Sequence, residues 1–121
     1  MVELDPTPRP IDALTVMGQP EDVALEDRNG TLNYAELEAA VAVMAGWLEA
    51  QGLSPGARVA TWLPKTRVAC LMPLAVPRAG LVHVPVNPVL KRAQVAHILA
   101  DSGASLLITQ PARSMTLESG D

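Results

Sequence analysis

The stretch Val76 to Pro88, V-P-R-A-G-L-V-H-V-P-V-N-P, joins a helix end, a glycine turn, an apolar strand and a proline breaker with no linker between them. A helix that passes straight into a buried strand has to pack back on the sheet that the strand enters. The remainder of the chain repeats this alternation. Arg58 to Leu63 reads as strand, Thr66 to Arg78 as helix, Leu81 to Val86 as strand, Arg92 to Asp101 as helix and Ser105 to Thr109 as strand. Two successive βαβ units follow, and right-handed crossovers place their three strands parallel in one sheet with helices on its faces. The expected fold is α/β, a partial doubly wound parallel sheet preceded by a short hairpin and an amphipathic helix. Val59, Leu63, Val82, Val84, Val86 and Leu106 to Ile108 are the core candidates from the sheet, with Val95, Ile98 and Leu99 over them from the last helix.

Upstream, Val23 to Leu25 and Thr31 to Leu32 flank Asp27-Arg28-Asn29-Gly30, and Asn-Gly between extended pieces is a hairpin turn signal, since both residues tolerate positive φ. Asn33 is placed to cap the next helix, with Glu36 at its third position completing a capping box. Tyr34, Leu37, Val41, Met44 and Leu48 form one apolar stripe, and Gly52 closes the helix before the Pro55-Gly56 turn. Pro73 and Pro77 fall inside the helix expected over Thr66 to Arg78. Each interior proline costs about 3 kcal/mol, which predicts a kink or break near Pro73. Residues 1–20 are expected to be an N-terminal extension in which Ile11 to Met17 docks as a single turn or lid, and residues 21–121 to be the first α/β subdomain of a larger domain, truncated.

Composition excludes several classes. With 121 residues, 49% of them hydrophobic, the chain has the length and apolar content of one globular core. Phe is absent, the only aromatics are Tyr34, Trp47 and Trp62, the net charge is -4, and no basic run exceeds two residues, so neither base stacking nor phosphate neutralisation has a platform. Nucleic acid is not an expected partner. The acidic, proline-containing N-terminus does not read as a secretory signal, and the longest apolar run falls short of the roughly 18 residues of a membrane span. A cytoplasmic protein is expected. Cys70 is the sole cysteine, so no intrachain disulfide or cysteine-based metal site can form, and its apolar sequence neighbours predict a buried, inert thiol.

In open parallel sheets ligands bind beyond the carboxyl ends of the strands, which directs attention to Pro64-Lys65-Thr66, Asn87-Pro88-Val89-Leu90 and Gln110-Pro111-Ala112. None of these loops contains glycine, and neither G-x-G-x-x-G nor G-x-x-x-x-G-K-[ST] occurs anywhere. Lys65 reads as a solvated lysine and Thr66 as a helix cap. His83 lies mid-strand with no acid nearby in sequence and reads as a structural histidine. His97 lies on the last predicted helix, and the two imidazoles lack further partners at ligand spacing. Lys91-Arg92 reads as a solvated helix start, and Gly103 as the stop of that helix. No position is assigned a catalytic, cofactor-binding or metal-binding role.

The ordered set L-N-Y-A-E-L (Leu32 to Leu37), P-G-A-R-V-A (Pro55 to Ala60), L-P-K (Leu63 to Lys65), R-A-G (Arg78 to Gly80), V-P-V-N-P (Val84 to Pro88) and D-S-G-A-S-L-L-I-T (Asp101 to Thr109) resembles the N-terminal part of the AMP-forming acyl-CoA ligases, members of the adenylate-forming superfamily. Asn87 stands where peptide-synthetase adenylation domains usually carry Asp, which favours the acyl-CoA ligases. Leu63 to Lys65 and Asn87 to Leu99 are similar to the ligases associated with exosortase A systems. Pro73, Pro77 and Lys91-Arg92 depart from the family pattern and bear on local helix geometry.

The resemblance implies ATP-dependent activation of a carboxylate to an acyl-adenylate, then transfer to CoA, with ATP, Mg and CoA as cofactors of the full-length enzyme and none held by this chain. The family's phosphate loop and catalytic lysine match no position here, so the chain is expected to be an inactive N-terminal fragment. Its expected partner is the remainder of the ligase domain, in cis or in trans, with self-association through open sheet edges. Two alternatives are a non-enzymatic interaction module, such as the first part of a split ligase, and a flavodoxin-like nucleotide binder, which the glycine-free loops disfavour.

Overall fold

The structure is a computed structural model and describes residues 4–119. A 3-10 helix, Ile11–Val16, comes first, followed by the antiparallel hairpin β1 (Val23–Asp27) and β2 (Gly30–Asn33) and helix α1 (Tyr34–Glu49). Strand β3 (Arg58–Trp62), helix α2 (Arg67–Arg78), strand β4 (Val82–Pro85), helix α3 (Arg92–Ser102) and strand β5 (Leu106–Thr109) then alternate, and α4 (Pro111–Ser119) closes the described chain. The sheet order is β4-β3-β5 with both pairings parallel. This is the expected doubly wound arrangement, since the chain steps from β3 to one side and then crosses back to the other.

Each face of β3 has its own core. Val59 is fully buried with Leu37, Val41 and Leu48 of α1 and Met72, Ala75 and Val76 of α2. On the opposite face Ala60 and Trp62 pack with Val86 and Val95, flanked by Ile98 and Leu99 of α3 and Leu117 of α4. Period-two alternation along β3 thus sends α1 and α2 to one side and α3 and α4 to the other. Most core candidates are buried or half-buried, but Val82, at the start of an edge strand, is 47% exposed. Trp62, which the periodicity did not single out, is buried.

The capping box forms as expected. The Glu36 amide donates to the Asn33 Oδ1 and the Asn33 amide to the Glu36 Oε1, each at 2.8 Å. The hairpin forms with its turn over the expected residues Asp27 to Gly30. Asp27 pairs with Gly30, so the two-residue turn is Arg28-Asn29; only Gly30 takes positive φ, at 131°, while Asn29 does not. The Asp27 carboxylate accepts the Asn29 amide at 2.8 Å and holds the turn without left-handed asparagine.

Helix α2 runs from Arg67 to Arg78 with Pro73 and Pro77 inside it, so the break that was one form of the expectation near Pro73 does not occur. The two prolines are four residues apart on one half-exposed side, while Leu71, Met72, Leu74, Ala75 and Val76 are buried. Burial of that apolar set outweighs the loss of two helix hydrogen bonds. Gly80, at φ 78°, then reverses the chain, with the Gly80 amide donating to the Pro77 carbonyl at 2.9 Å and the Leu81 amide to that of Val76 at 3.1 Å. A side chain at this φ is strained, which is why helix and strand can meet here without a linker. Cys70, expected to be buried, is exposed, which corrects that expectation. Its sequence neighbours point in different directions around α2, and it opens into a groove also lined by Asp27, Lys65 and Arg67.

Candidate functional site

The carboxyl ends of the three parallel strands meet the hairpin, α2 and α4. Beyond β3, Thr66 caps α2 by accepting the Ala69 amide on its hydroxyl at 3.3 Å. Arg67, in the first turn, crosses to the hairpin, where its Nε and Nη2 donate to the Asp27 carboxylate at 3.0 and 3.3 Å. The guanidinium, followed by the Asn29 amide, holds the Asp27 carboxyl below its ordinary range. Lys65 is exposed on the rim of the groove that Asp27, Arg67 and Cys70 line. Thr66 therefore takes its expected capping role, and Arg67 is engaged structurally rather than free for a ligand.

Beyond β4, the Asn87 side chain accepts the Val89 amide at 3.0 Å and its carbonyl accepts the Leu90 amide at 3.1 Å, so Asn87 is spent on its own turn. Beyond β5 the sequence reading expected only a loop, yet α4 starts there. Pro111 occupies its first position, where a missing amide hydrogen costs nothing, and the Gln110 carbonyl accepts from Arg113 and Ser114, both at 3.0 Å. Proline two residues after the strand was the signal that could have revealed this helix. Arg113 then folds over the Trp62 ring, 4.9 Å from its centroid, and its Nη1 donates to the Pro88 carbonyl at 3.0 Å. Three strand ends are thus tied together by packing contacts.

The histidines do not converge on chemistry. His83 Nε2 lies 2.8 Å from the Thr61 hydroxyl and burial lowers its pKa, which favours a neutral, hydrogen-bonded ring. His97 is exposed on α3. Among the described residues no group of three or more His, Cys, Asp or Glu is arranged to hold a metal ion. The residues here do not fit a nucleotide triphosphate and its magnesium either, because the three strand-end loops lack the glycines that let backbone amides wrap phosphate oxygens. None of the described helices is long and apolar enough to cross a membrane.

The most developed polar cluster lies elsewhere, at the far end of α2. Arg78 Nη1 and Nη2 donate to both carboxylate oxygens of Glu38 at 2.8 Å, and its Nε donates to Asp12 Oδ2 at 2.9 Å. The Thr15 hydroxyl, on a residue only 2% exposed, donates to Glu38 Oε1. Arg78, then Thr15, pulls the Glu38 carboxyl below its usual range, and Glu38 in turn raises Arg78. This cluster pins the 3-10 helix across α1 and α2. Sequence reasoning missed it because the partners are 40 and 66 residues apart in the chain.

Known proteins resemble this chain over part of their own length. The chain is 40% identical over 98 residues to a feruloyl-CoA synthase of an Amycolatopsis species, covering 81% of this chain and 20% of that protein. It is 34% identical over 102 residues to a plipastatin synthase polypeptide of Bacillus subtilis (strain 168), covering 84% of this chain and 4% of the synthase. Among solved structures, ATP-bound MatB from Rhodopseudomonas palustris superimposes with a TM-score of 0.81 at 27% identity, over 91% of this chain and 22% of MatB. The chain spans one-fifth or less of the two proteins matched by sequence and about that share of MatB. A family model described as AMP-binding enzyme matches residues 14–120, and the chain belongs to that adenylate-forming family as part of its N-terminal region.

Proposed function

We propose that this chain is the opening α/β subdomain of an AMP-forming acyl-CoA ligase, serving as the frame on which ATP-dependent activation of a carboxylic acid and transfer to CoA are built. The 40% identity to feruloyl-CoA synthase carries this reading, and Asn87 after Val84-Pro85-Val86 supports it. The narrower likeness to ligases of exosortase A systems rests on Leu63 to Lys65 and Asn87 to Leu99. On this reading the subdomain works in the cytoplasm, is inactive alone, and acts with the remainder of the ligase domain in cis or as one part of a split enzyme. ATP, Mg and CoA are bound by that remainder. The extension and subdomain then divide near residue 20, with the Arg78 cluster as the link between them.

A second reading has a specific observation behind it, since the plipastatin, linear gramicidin and syringomycin synthases match at 30–37% identity. In a peptide synthetase the activated acyl group would pass to a carrier protein and not to CoA. Grafting residues 14–120 in place of the matching segment of the Amycolatopsis feruloyl-CoA synthase tests compatibility with CoA chemistry. The expected result is a soluble chimera that forms feruloyl-CoA. A folded chimera that makes the adenylate but no thioester would favour the peptide-synthetase reading.

A further inference from the structure

The 3-10 helix Ile11–Val16 is docked inside out. Its polar Asp12 and Thr15 turn to the body of the protein, with Thr15 buried, while Ile11, Leu14, Val16 and Met17 are each 51–69% exposed. A surface helix ordinarily does the reverse, since burial of its apolar face is what holds it down. The backbone does not attach the segment either. The Ala13 and Met17 amides donate to the Pro10 and Leu14 carbonyls beside them, and Arg9 turns back on Asp5 and Met17. Among the described residues, every hydrogen bond from residues 5–17 to the rest of the chain ends on Arg78 or Glu38. Asp12 Oδ2, the Asp12 carbonyl and the Thr15 hydroxyl accept from Arg78 at 2.9, 3.2 and 3.4 Å, and that hydroxyl donates to Glu38. Past the helix the chain is fixed by backbone, because the Pro20 and Asp22 carbonyls accept the Ala35 and Tyr34 amides at 3.1 and 3.0 Å. Between clamp and tether a groove of about 310 Å³ has Thr15, Val16 and Gly18 on one side and Tyr34, Ala35 and Glu38 on the other. Gly18 lies against the Tyr34 ring, so close that a Cβ there would sit 2.4 Å from Cε2.

We propose that residues 10–18 are an electrostatic strap, which opens and closes as a unit on the tether at Pro20 while the α/β core stays folded, and which clasps α1 to α2 only while Asp12 and Thr15 sit on Arg78 and Glu38. The apolar side chains of the strap resist opening little, because they already stand in water. A segment with few buried apolar contacts opens at a free energy well below that of global unfolding. The attachment is ionic, and the Asp12, Arg78 and Glu38 side chains are 22%, 23% and 38% exposed, so dissolved salt reaches it. Opening leaves Arg78 on Glu38, uncovers the seat of Thr15 between α1 and α2, and frees Gly18 from the Tyr34 ring. The ring therefore reports the state of the strap.

The test reads amide exchange over residues 11–17 and over residues 59–61 of β3 in the 121-residue chain, together with the ring NMR signals of Tyr34, the only tyrosine in a chain without phenylalanine. Strap amides are expected to exchange at least a hundredfold faster than those of β3 and with little dependence on urea, as local opening requires. Raising salt from about 0.1 M to about 1 M shortens the screening length from about 10 Å to about 3 Å. It should speed strap exchange at least threefold and leave β3 as it was. Asp12→Asn removes the charge on the strap and keeps the Arg78–Glu38 pair; it should speed strap exchange at least tenfold and shift the Tyr34 ring signals, with circular dichroism unchanged. Glu49→Gln, the same change of charge at an exposed position of α1, should do neither. Strap and β3 amides exchanging together with one urea dependence, strap exchange that salt slows or leaves alone, or an Asp12→Asn chain indistinguishable from the parent would each overturn the proposal.

Discussion

Replacing Arg78 by Met would leave Glu38 and Asp12 without their shared cation while keeping the length of the side chain. Charged hydrogen bonds contribute about 1.5–3 kcal/mol each when buried. Arg78 is 23% and Glu38 38% exposed, so solvent screening brings the expected loss to about 1–2 kcal/mol. A urea midpoint lowered with an unchanged slope would confirm this, and an unshifted midpoint would contradict it. The same cluster gives a pH dependence. Glu38 titrates below its unfolded value, so its contribution is present above the ordinary glutamate range and is lost as pH falls through the lowered value. Glu38→Gln should therefore be less stable than the parent at neutral pH, with the difference closing in acid, as thermal melts across pH 3 to 7 would show. At this scale the Asn33–Glu36 box was legible because its partners stand three residues apart. The Arg78 cluster was not, because a pairing across 66 residues leaves no local pattern. Cys70 was misread for a related reason, since apolar neighbours along the chain are not neighbours around a helix.

Among the elements, α2 sets local propensity most directly against packing. Two prolines argue against a helix there, and five buried apolar residues argue for one. Packing decides, as it does for most helices in proteins. Pro73→Ala would restore an amide hydrogen for the Ala69 carbonyl without disturbing the buried face. We expect a gain on the order of 1 kcal/mol, part of the roughly 3 kcal/mol helix penalty being offset by the greater freedom of the unfolded chain. A lower melting temperature for this variant would mean that the proline ring itself packs usefully. The strands, α1 and α3 were readable from periodicity and stop signals to within a residue or two. Helix α4 was not, because Gln110-Pro111-Ala112 was read as a strand-end loop when Pro111 is the helix's first residue. The hairpin was found where Asn-Gly predicted it, over Asp27 to Gly30, and Asp27 holds Asn29 in the turn through its side chain.

At the scale of the whole molecule, the order β4-β3-β5 separates two well-packed cores on the faces of one short sheet. The fold was legible because each βαβ unit announces itself locally. A catalytic site was not legible, and the strand-end loops show the physical reason: Thr66, Arg67, Asn87 and Arg113 are engaged in caps, turns and ion or cation–π pairs. The family's chemistry is therefore expected to depend on polypeptide that this chain frames and does not contain. ATP–pyrophosphate exchange, measured on the isolated chain and on the chimera carrying residues 14–120 within feruloyl-CoA synthase, tests this most directly. The account predicts no exchange above background from the chain alone and carboxylate-dependent exchange from the chimera. Exchange by the isolated chain, or a folded chimera with none, would contradict it.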